Sequence, residues 1–128
     1  MHIQKIVPLH KDKRGLITAL FDLVDNPGMR SVLLITSKKG AIRANHYHKK
    51  DTHYTYLLSG SFEYIEQEKD DKNKRKVYTM KPGDMMKTEP GNIHAMRFLK
   101  NSIIIVFTTE DRNPKAYEQD TVRVSFIK

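Results

Sequence analysis

The sequence predicts an all-β chain that folds as a sandwich or a closed barrel. Short segments rich in β-branched and aromatic residues recur about every eight to twelve positions, with turn residues between them. No segment carries the long amphipathic pattern of a helix. A length of 128 residues fits one domain, and neither an internal repeat nor a domain boundary is visible. We therefore expect a single domain over residues 1–128.

The strands predicted in chain order share period-2 alternation or a β-branched run. They are Ile3–Leu9, Leu16–Asp22, Ser31–Ser37, Ile42–His48, His53–Leu58, Ser61–Glu68, Val77–Met80, Asp84–Thr88, Ile93–Leu99, Ile103–Thr108 and Thr121–Ile127. The turns between them share Gly, Pro, Asn, Ser or Lys. They are His10–Gly15, Asn26–Gly28, Lys38–Gly40, Lys49–Thr52, Ser59–Gly60, Lys81–Gly83, Glu89–Asn92 and Lys100–Ser102.

Two polar segments interrupt this alternation. Gln67–Lys76 has eight charged residues in ten and no apolar one, which is typical of a mobile hairpin tip. Asp111–Asp120 is a polar connector with room for one helical turn. Both are expected at the periphery of the barrel.

Several function classes are disfavoured by composition. No apolar run approaches the ~20 residues of a membrane span, so no membrane partner is expected. The segment that begins at Met1 lacks the pattern of a signal peptide, and the absence of cysteine excludes disulfides and thiolate zinc sites. We expect a soluble, cytoplasmic protein.

The formal net charge of +8 favours an anionic partner through long-range attraction. Many of the lysines lie in turns, at Lys38–Lys39, Lys49–Lys50 and Lys72–Lys76, where they also serve solubility. They are not interleaved with aromatic residues, and no helix-turn-helix is evident, so nucleic acid is not the expected partner. A phosphorylated small molecule is the better candidate.

Three histidines crowd into eight residues, and a fourth follows a distant glycine turn. His46 and His48 project from one face of an extended strand, while His53 begins the next strand. His94 comes shortly after the turn Glu89–Asn92. Arg43 would point away from His46 in an ideal strand, and a bend at Ala44–Asn45 would return it to the same pocket.

Two chemistries suit such a cluster. Neutral imidazoles are common ligands of transition metals, and four would suit Fe, Mn, Ni, Zn or Cu. Without a metal, the same imidazoles move protons near neutral pH. A non-enzymatic protein that binds a small molecule is a third possibility. Ordinary polar roles at strand ends remain the plain alternative for His53 and His94.

The spacing of these residues resembles the two motifs of the cupin superfamily. Gly40, His46-x-His48, His53 and Gly60 are similar to the first motif, with His53 replacing the usual glutamate. Gly83 to His94 is similar to the second. The resemblance implies a single-domain cupin, a double-stranded β-helix or jelly-roll barrel. It places the metal-ligand positions at His46, His48, His53 and His94.

A narrower resemblance concerns cupins that act on nucleotide-linked deoxysugars. Asp12-Lys-Arg-Gly15 and the segment Gly40–Lys49 resemble the 4-keto-6-deoxyhexose 3,4-ketoisomerases and the dTDP-4-dehydrorhamnose 3,5-epimerases. Leu58–Phe62 and Tyr117–Arg123 extend the likeness to the ketoisomerases. The implied function is a sugar-nucleotide isomerase or epimerase in surface-polysaccharide or deoxysugar biosynthesis. The family also implies a homodimer.

The resemblance assigns roles to individual residues. His46 and His48 would be the acid/base groups and Arg43 would contact the substrate diphosphate, with no cofactor required. Three residues depart from the ketoisomerases. Ala44 replaces a glycine, Ile93 stands where they usually carry tryptophan, and His53 adds an imidazole that a metal-free enzyme does not need. A metal-dependent dioxygenase or isomerase is therefore the alternative. The residues themselves add further candidates for substrate contact, namely Tyr54, Tyr56 and Tyr64.

Overall fold

Strands dominate the computed structural model, which describes residues 1–22, 25–26 and 28–128. In chain order the strands are β1 (His2–Lys5), β2 (His10–Asp12), β3 (Gly15–Ile17), β4 (Ser31–Ser37), β5 (Ile42–His48), β6 (His53–Ser59), β7 (Phe62–Glu68), β8 (Lys76–Met80), β9 (Asp84–Thr88), β10 (Asn92–Phe98), β11 (Ser102–Thr108) and β12 (Thr121–Arg123). A 3₁₀ turn spans Lys72–Lys74, and the helix α1 spans Pro114–Asp120.

The strands form two five-stranded antiparallel sheets and one separate hairpin. The first sheet has the order β1-β9-β6-β11-β4, and the second has the order β12-β5-β10-β7-β8. The hairpin joins β2 to β3. Neighbours in each sheet are seldom neighbours in the chain, because the strands alternate between the sheets as a jelly roll requires. The all-β prediction is confirmed.

The core lies between the sheets. Its members are fully or almost fully buried large apolar side chains, namely Leu57, Phe62, Tyr64, Met80, Met86, Phe98, Ile104 and Val106. The rings of Phe62 and Phe98 lie 5.2 Å apart and join β7 to β10. Each such side chain contributes roughly 1.5–3 kcal/mol by leaving water. This packing holds the sheets together at one end and leaves the other end free for polar residues.

The outer face of the first sheet carries a second apolar cluster. Tyr56, Met85 and Phe107 are buried there under the N-terminal segment. Phe21 stacks on Phe107 with the ring centroids 5.0 Å apart and meets the edge of Tyr54 at 4.7 Å. Alternation along β6 therefore sends Tyr54 and Tyr56 outward and His53, Thr55 and Leu57 inward.

Some predicted boundaries are wrong. His10–Gly15 is the start of a hairpin rather than only a turn, since His10 pairs with Ile17 and Asp12 with Gly15. Asp12 accepts hydrogen bonds from the backbone and guanidinium of Arg14, which fixes the tight connection. The strand predicted at Leu16–Asp22 extends only to Ile17.

The C-terminal segment also differs. The strand predicted at Thr121–Ile127 ends at Arg123. The connector before it holds the seven-residue helix α1, about two turns, where one turn was expected. Asn113 caps this helix by accepting a hydrogen bond from the backbone N–H of Ala116.

Two further findings concern individual segments. The predicted turn at Asn26–Gly28 includes Pro27, which lies outside the described residues. Across the ranges that the structure describes, no helix is long and apolar enough to cross a membrane.

Candidate active site

A bulge in β5 shapes the site. Ala44 and Asn45 have positive φ angles of 71° and 55°, and the pairing with β10 shifts there, so that His46 faces His94 while Ala44 faces Ala95. The extra residue reverses the alternation of the strand. As a result, the side chain of Arg43 lines the same cavity as His46. The bend expected from the sequence is present.

Four histidines from three strands meet at this end of the barrel. The ring centroid of His46 lies 4.5 Å from that of His48 and 4.8 Å from that of His94. The ring of His53 lies 4.4 Å from that of His48. The cross-strand register of β5, β10 and β6 produces this cluster, which joins residues nearly fifty positions apart in sequence.

A cavity of about 140 Å³ opens over the cluster between the two sheets. Its walls combine apolar side chains with histidines, threonines and arginines, namely Leu33, Ile35, Arg43, Ala44, His46, His53, Thr55, Met86, Thr88, His94, Met96, Val106, Arg112 and Tyr117. Such a mixture of apolar wall and few polar groups is typical of small-molecule sites. His48 is not among the lining residues and lies behind His46.

Asp51 orients His53. The Nε2–H of His53 donates a 2.7 Å hydrogen bond to Oδ2 of Asp51, whose Oδ1 accepts from the backbone N–H groups of Thr109 and Glu110. Burial alone would raise the pKa of Asp51, but the hydrogen bond and charge of His53 and the bonds from Thr109 outweigh burial and lower it. Asp51 is thus an ionised, fixed acceptor, and Nδ1 of His53 is left as the acceptor nitrogen.

The three most enclosed imidazoles are neutral. Burial, followed by repulsion from His53, lowers the pKa of His46 to about 4 and that of His48 to about 2. Burial and the proximity of His46 lower the pKa of His94 to about 3. The Nδ1–H of His94 donates to the carbonyl of Asn92 at 3.0 Å, so its Nε2 is the free acceptor. Neutral rings can accept a proton or bind a cation.

His48 is held at the back of the cluster. Its Nδ1 lies 3.4 Å from Oγ1 of Thr121 and 3.7 Å from Oδ2 of Asp120. Its Nε2 is buried and has no hydrogen-bond partner in the described part of the chain. A buried nitrogen without a partner is costly unless a proton donor or a cation occupies the space before it.

The donor set fits a divalent cation. Nitrogens of His46, His48 and His94 all lie within 4.8 Å of one another, which allows three imidazoles to converge on one ion. His53 belongs to a second group of this kind, with His48 and Asp51. The four predicted ligand positions therefore fall into two groups that share His48.

Arg43 lines the cavity, is exposed, and is anchored to β4. Its Nε donates to Oγ of Ser37 at 2.7 Å and one terminal nitrogen donates to the carbonyl of Thr36 at 3.0 Å. These bonds use Nε and one terminal nitrogen of the guanidinium, so the other terminal nitrogen remains to bind a ligand. This position suits the binding role that the sequence assigns to it.

The three tyrosines expected to contact substrate lie elsewhere. Tyr64 is fully buried in the core, and its hydroxyl shares a 2.8 Å hydrogen bond with that of Thr88. Burial raises its pKa further above the ordinary range. Tyr54 and Tyr56 face the outside of the first sheet under the N-terminal segment. None of the three lines the cavity, so this prediction is corrected.

Two lining residues were missed, Arg112 and Tyr117. Both come from the polar connector after β11, and the guanidinium carbon of Arg112 lies 3.8 Å above the ring of Tyr117. The centroid of that ring is 5.9 Å from the ring of His48 and 6.4 Å from the ring of His46. Tyr117 lies in α1 and Arg112 immediately precedes its Asn113 cap, so the path of the connector, and no periodic pattern, brings the two residues to the histidines.

Solved structures share this fold. The QdtA 3,4-ketoisomerase from Thermoanaerobacterium thermosaccharolyticum, a double mutant crystallised with TDP, is 25% identical with a TM-score of 0.76, covering 95% of this chain and 86% of that chain. A 3,4-ketoisomerase from Helicobacter canadensis is 20% identical with a TM-score of 0.77, covering 95% and 89%. The dTDP-4-dehydrorhamnose 3,5-epimerase from Sulfolobus tokodaii is 21% identical with a TM-score of 0.74, covering 91% and 73%.

Sequence comparisons give the family. No curated protein matches the chain by sequence. The cupin domain family matches residues 33–109, which run from β4 through β11 and include all four histidines of the cluster. With this match over more than half its length, the chain belongs to the cupin family.

Proposed function

We propose that this protein is an isomerase or epimerase that acts on a nucleotide-linked 4-keto-deoxysugar in deoxysugar biosynthesis. The observation that supports this proposal is one cavity lined by neutral histidines, a carboxylate-oriented histidine and two arginines. Proton transfer next to a carbonyl needs the first two groups, and an anionic substrate needs the third. The structural relatives, a 3,4-ketoisomerase crystallised with TDP and a dTDP-4-dehydrorhamnose 3,5-epimerase, support the same substrate class.

The reaction is a proton relay. His46 or His53 takes the proton at C3, the electrons of the C3–H bond form a C3–C4 double bond, and the O4 carbonyl becomes an oxyanion. In a ketoisomerase the proton of the O3 hydroxyl passes to O4, the protonated histidine returns its proton to C4, and the carbonyl then lies at C3. In an epimerase the proton returns to the opposite face of the same carbon. Neither outcome requires an oxidant or a reductant.

We assign the proton-carrying role to His46 and His53 rather than to His46 and His48. His46 and His53 line the cavity, whereas His48 is 2% exposed and lies behind them. Asp51 fixes the ring of His53 and would stabilise it when protonated, as a carboxylate does in catalytic dyads. His48 then supports His46 by packing against it.

The size of the cavity indicates which part of the substrate it can enclose. A volume of about 140 Å³ is below the ~300 Å³ at which pockets begin to hold whole drug-sized ligands. The sugar ring would enter, while the diphosphate and nucleoside would lie at the mouth near Arg43. The net charge of +8 would attract the diphosphate.

Deuterium exchange tests the proposal. Protein incubated in D₂O with a dTDP-linked 4-keto-6-deoxyhexose should place deuterium at the carbon next to the carbonyl, as read by NMR. The variants H46Q and H53Q should lower the exchange rate by about 10²–10⁴-fold without unfolding. Wild-type protein that exchanges no proton with any nucleotide-linked keto sugar would overturn this function.

A metal-dependent function is the second candidate. The convergent trio of His46, His48 and His94 and the partnerless Nε2 of His48 favour it. A divalent cation bound there would act as a Lewis acid toward the substrate carbonyl. His53 and Asp51 would remain free to carry the proton.

We further propose a homodimer. β4 is an edge strand of the first sheet, and its outward Val32 and Leu34 are 63% and 71% exposed. The separate β2–β3 hairpin exposes Leu16 and Ile17, and an isolated hairpin is marginally stable in water. A second copy would cover these surfaces. Light scattering should give twice the chain mass, falling toward a monomer in L34E.

A further inference from the structure

We infer that Arg112, seated on the ring of Tyr117, is the group that binds the oxyanion that forms in the cavity. This inference deepens the proposed function and rests on it for the identity of the oxyanion. The reaction intermediate is a planar enediolate, and its negatively charged oxygen would form at the histidine end of the cavity. Arg43 is assigned the diphosphate at the other end.

The first observation is an unmet hydrogen bond. The Nε of Arg112 is buried and has no hydrogen-bond partner among the residues the structure describes. No carboxylate in those same ranges forms an ion pair with its guanidinium. A buried N–H donor without a partner is costly, and this one belongs to a cationic group that an anion can bind.

The second observation is position. Arg112 lines the cavity together with His46, His53 and His94. Its charge contributes to lowering the pKa of His46, after burial, His53 and Arg123, and that of His48, after burial and the three neighbouring histidines. The guanidinium is therefore electrostatically close to the imidazoles. An oxygen formed beside those rings forms next to this positive charge.

The third observation is rigidity. The ring of Tyr117 supports the guanidinium at 3.8 Å, and Tyr117 is itself fixed in α1, which begins at the Asn113 cap. Arginine is well suited to this task because its planar fork keeps a fixed set of donors. A donor held in place before the charge appears stabilises the transition state without reorganisation.

The surroundings of the two arginines indicate which one binds the enediolate and which one binds the diphosphate. Arg43 is bonded to Ser37 and Thr36 on β4 and also lines a second, wider cavity of about 710 Å³ beyond the first. Arg112 lines the small cavity over the histidines. The arginine at the wide side suits a bulky diphosphate, and the enclosed one suits an oxygen of the sugar ring.

Kinetics tests the role in the reaction. R112M should lower kcat by about 10²–10³-fold with a small change in KM, since the lost bond forms only as the oxyanion develops. R112K, which keeps the charge without the planar fork, should recover part of the loss. Affinity for dTDP alone should be unchanged in R112M and reduced in R43Q. A loss of dTDP affinity in R112M would overturn the inference in favour of diphosphate binding.

The chain supplies a matched control. The guanidinium of Arg75 lies 4.4 Å above the ring of Phe126, in a surface cavity away from the histidines. R75M removes the same kind of cation–π contact. It should leave kcat and KM unchanged, whereas equal losses in R75M and R112M would show that stacking and not anion binding is involved.

Oxalate provides a readout that needs no turnover. Its two coplanar oxyanions imitate an enediolate, and calorimetry in EDTA measures its binding to wild type, R112M and R75M. We expect binding by wild type and R75M and at least a tenfold loss in R112M. Equal affinity in all three, or no binding by the wild type, would overturn the anion site. Arg112-dependent oxalate binding in a protein without turnover would preserve the anion site and reject the proposed reaction.

Discussion

Asp51 binds His53 through one carboxylate oxygen and the β11 end of the barrel through the other. Oδ2 accepts the 2.7 Å bond from the imidazole, and Oδ1 accepts from the backbone N–H groups of Thr109 and Glu110 at 2.9 and 3.2 Å. Asp51 is 2% exposed, so these bonds form away from water. One side chain therefore couples the orientation of a candidate catalytic group to the stability of the fold.

Replacing Asp51 by Asn should lower both the stability of the fold and the rate of proton exchange. D51N keeps the shape but loses the charge, so we expect a loss of about 1.5–3 kcal/mol in the free energy of unfolding for the weakened charged bonds. The exchange rate should fall by about 10-fold or more, because His53 loses its orienting anion. Urea denaturation and NMR exchange measure the two effects. D70N, at an exposed position, is the control and should change neither.

Acid should destabilise the protein through its neutral histidines. The pKa of His46 is lowered to about 4 and that of His94 to about 3, chiefly by burial, while an unfolded histidine titrates near 6.5. Below pH 6.5 the unfolded chain binds protons that the folded chain refuses, so stability falls as the pH falls. With His48 included, the steepest slope is about 4 kcal/mol per pH unit.

Denaturation curves at several pH values check this slope. The free energy of unfolding should change little between pH 8 and 7 and fall steeply between about pH 6 and 4. H94N should flatten the slope, while H2Q, at a side chain 60% exposed, should leave it unchanged. Constant stability from pH 7 to pH 4.5 would contradict the neutral, buried state of the cluster.

The alternation of residues along each strand predicted most of the strands. It also predicted which face of its strand each histidine lies on, because side chains alternate with a period of two. His46, His53 and His94 line one cavity because each lies on the inward face of its strand. The sequence did not locate the tyrosines, because whether the outer face of β6 is solvated or covered depends on the path of the N-terminal segment over Tyr54 and Tyr56. The position of Arg112 in the cavity wall was missed for the same reason, because the path of the connector and no periodic pattern brings it there.

The bulge at Ala44 gives a prediction about backbone strain. Its φ of 71° is in the left-handed region, which costs an L-residue about 1–2 kcal/mol and glycine very little. The larger flexibility of unfolded glycine offsets part of this gain. We expect A44G to raise the free energy of unfolding by up to about 1 kcal/mol, measured in urea.

Ala95 is the matched control, because it lies opposite Ala44 in the ladder between β5 and β10. It occupies a regular strand and is fully buried. A95G should therefore lower stability by about 0.5–1 kcal/mol or more. Equal losses in both glycine variants would mean that the bulge stores no strain at Ala44.

Metal binding distinguishes the trio from the fourth histidine. Nitrogens of His46, His48 and His94 converge within 4.8 Å, whereas His53 is bonded to Asp51. Calorimetric titration of EDTA-treated, untagged protein with Zn²⁺ should therefore show one site per chain. The site should be lost in H94Q and weakened by about 10–100-fold in H53Q, where only an outer contact is removed. Equal loss in the two variants would instead place all four imidazoles on the ion.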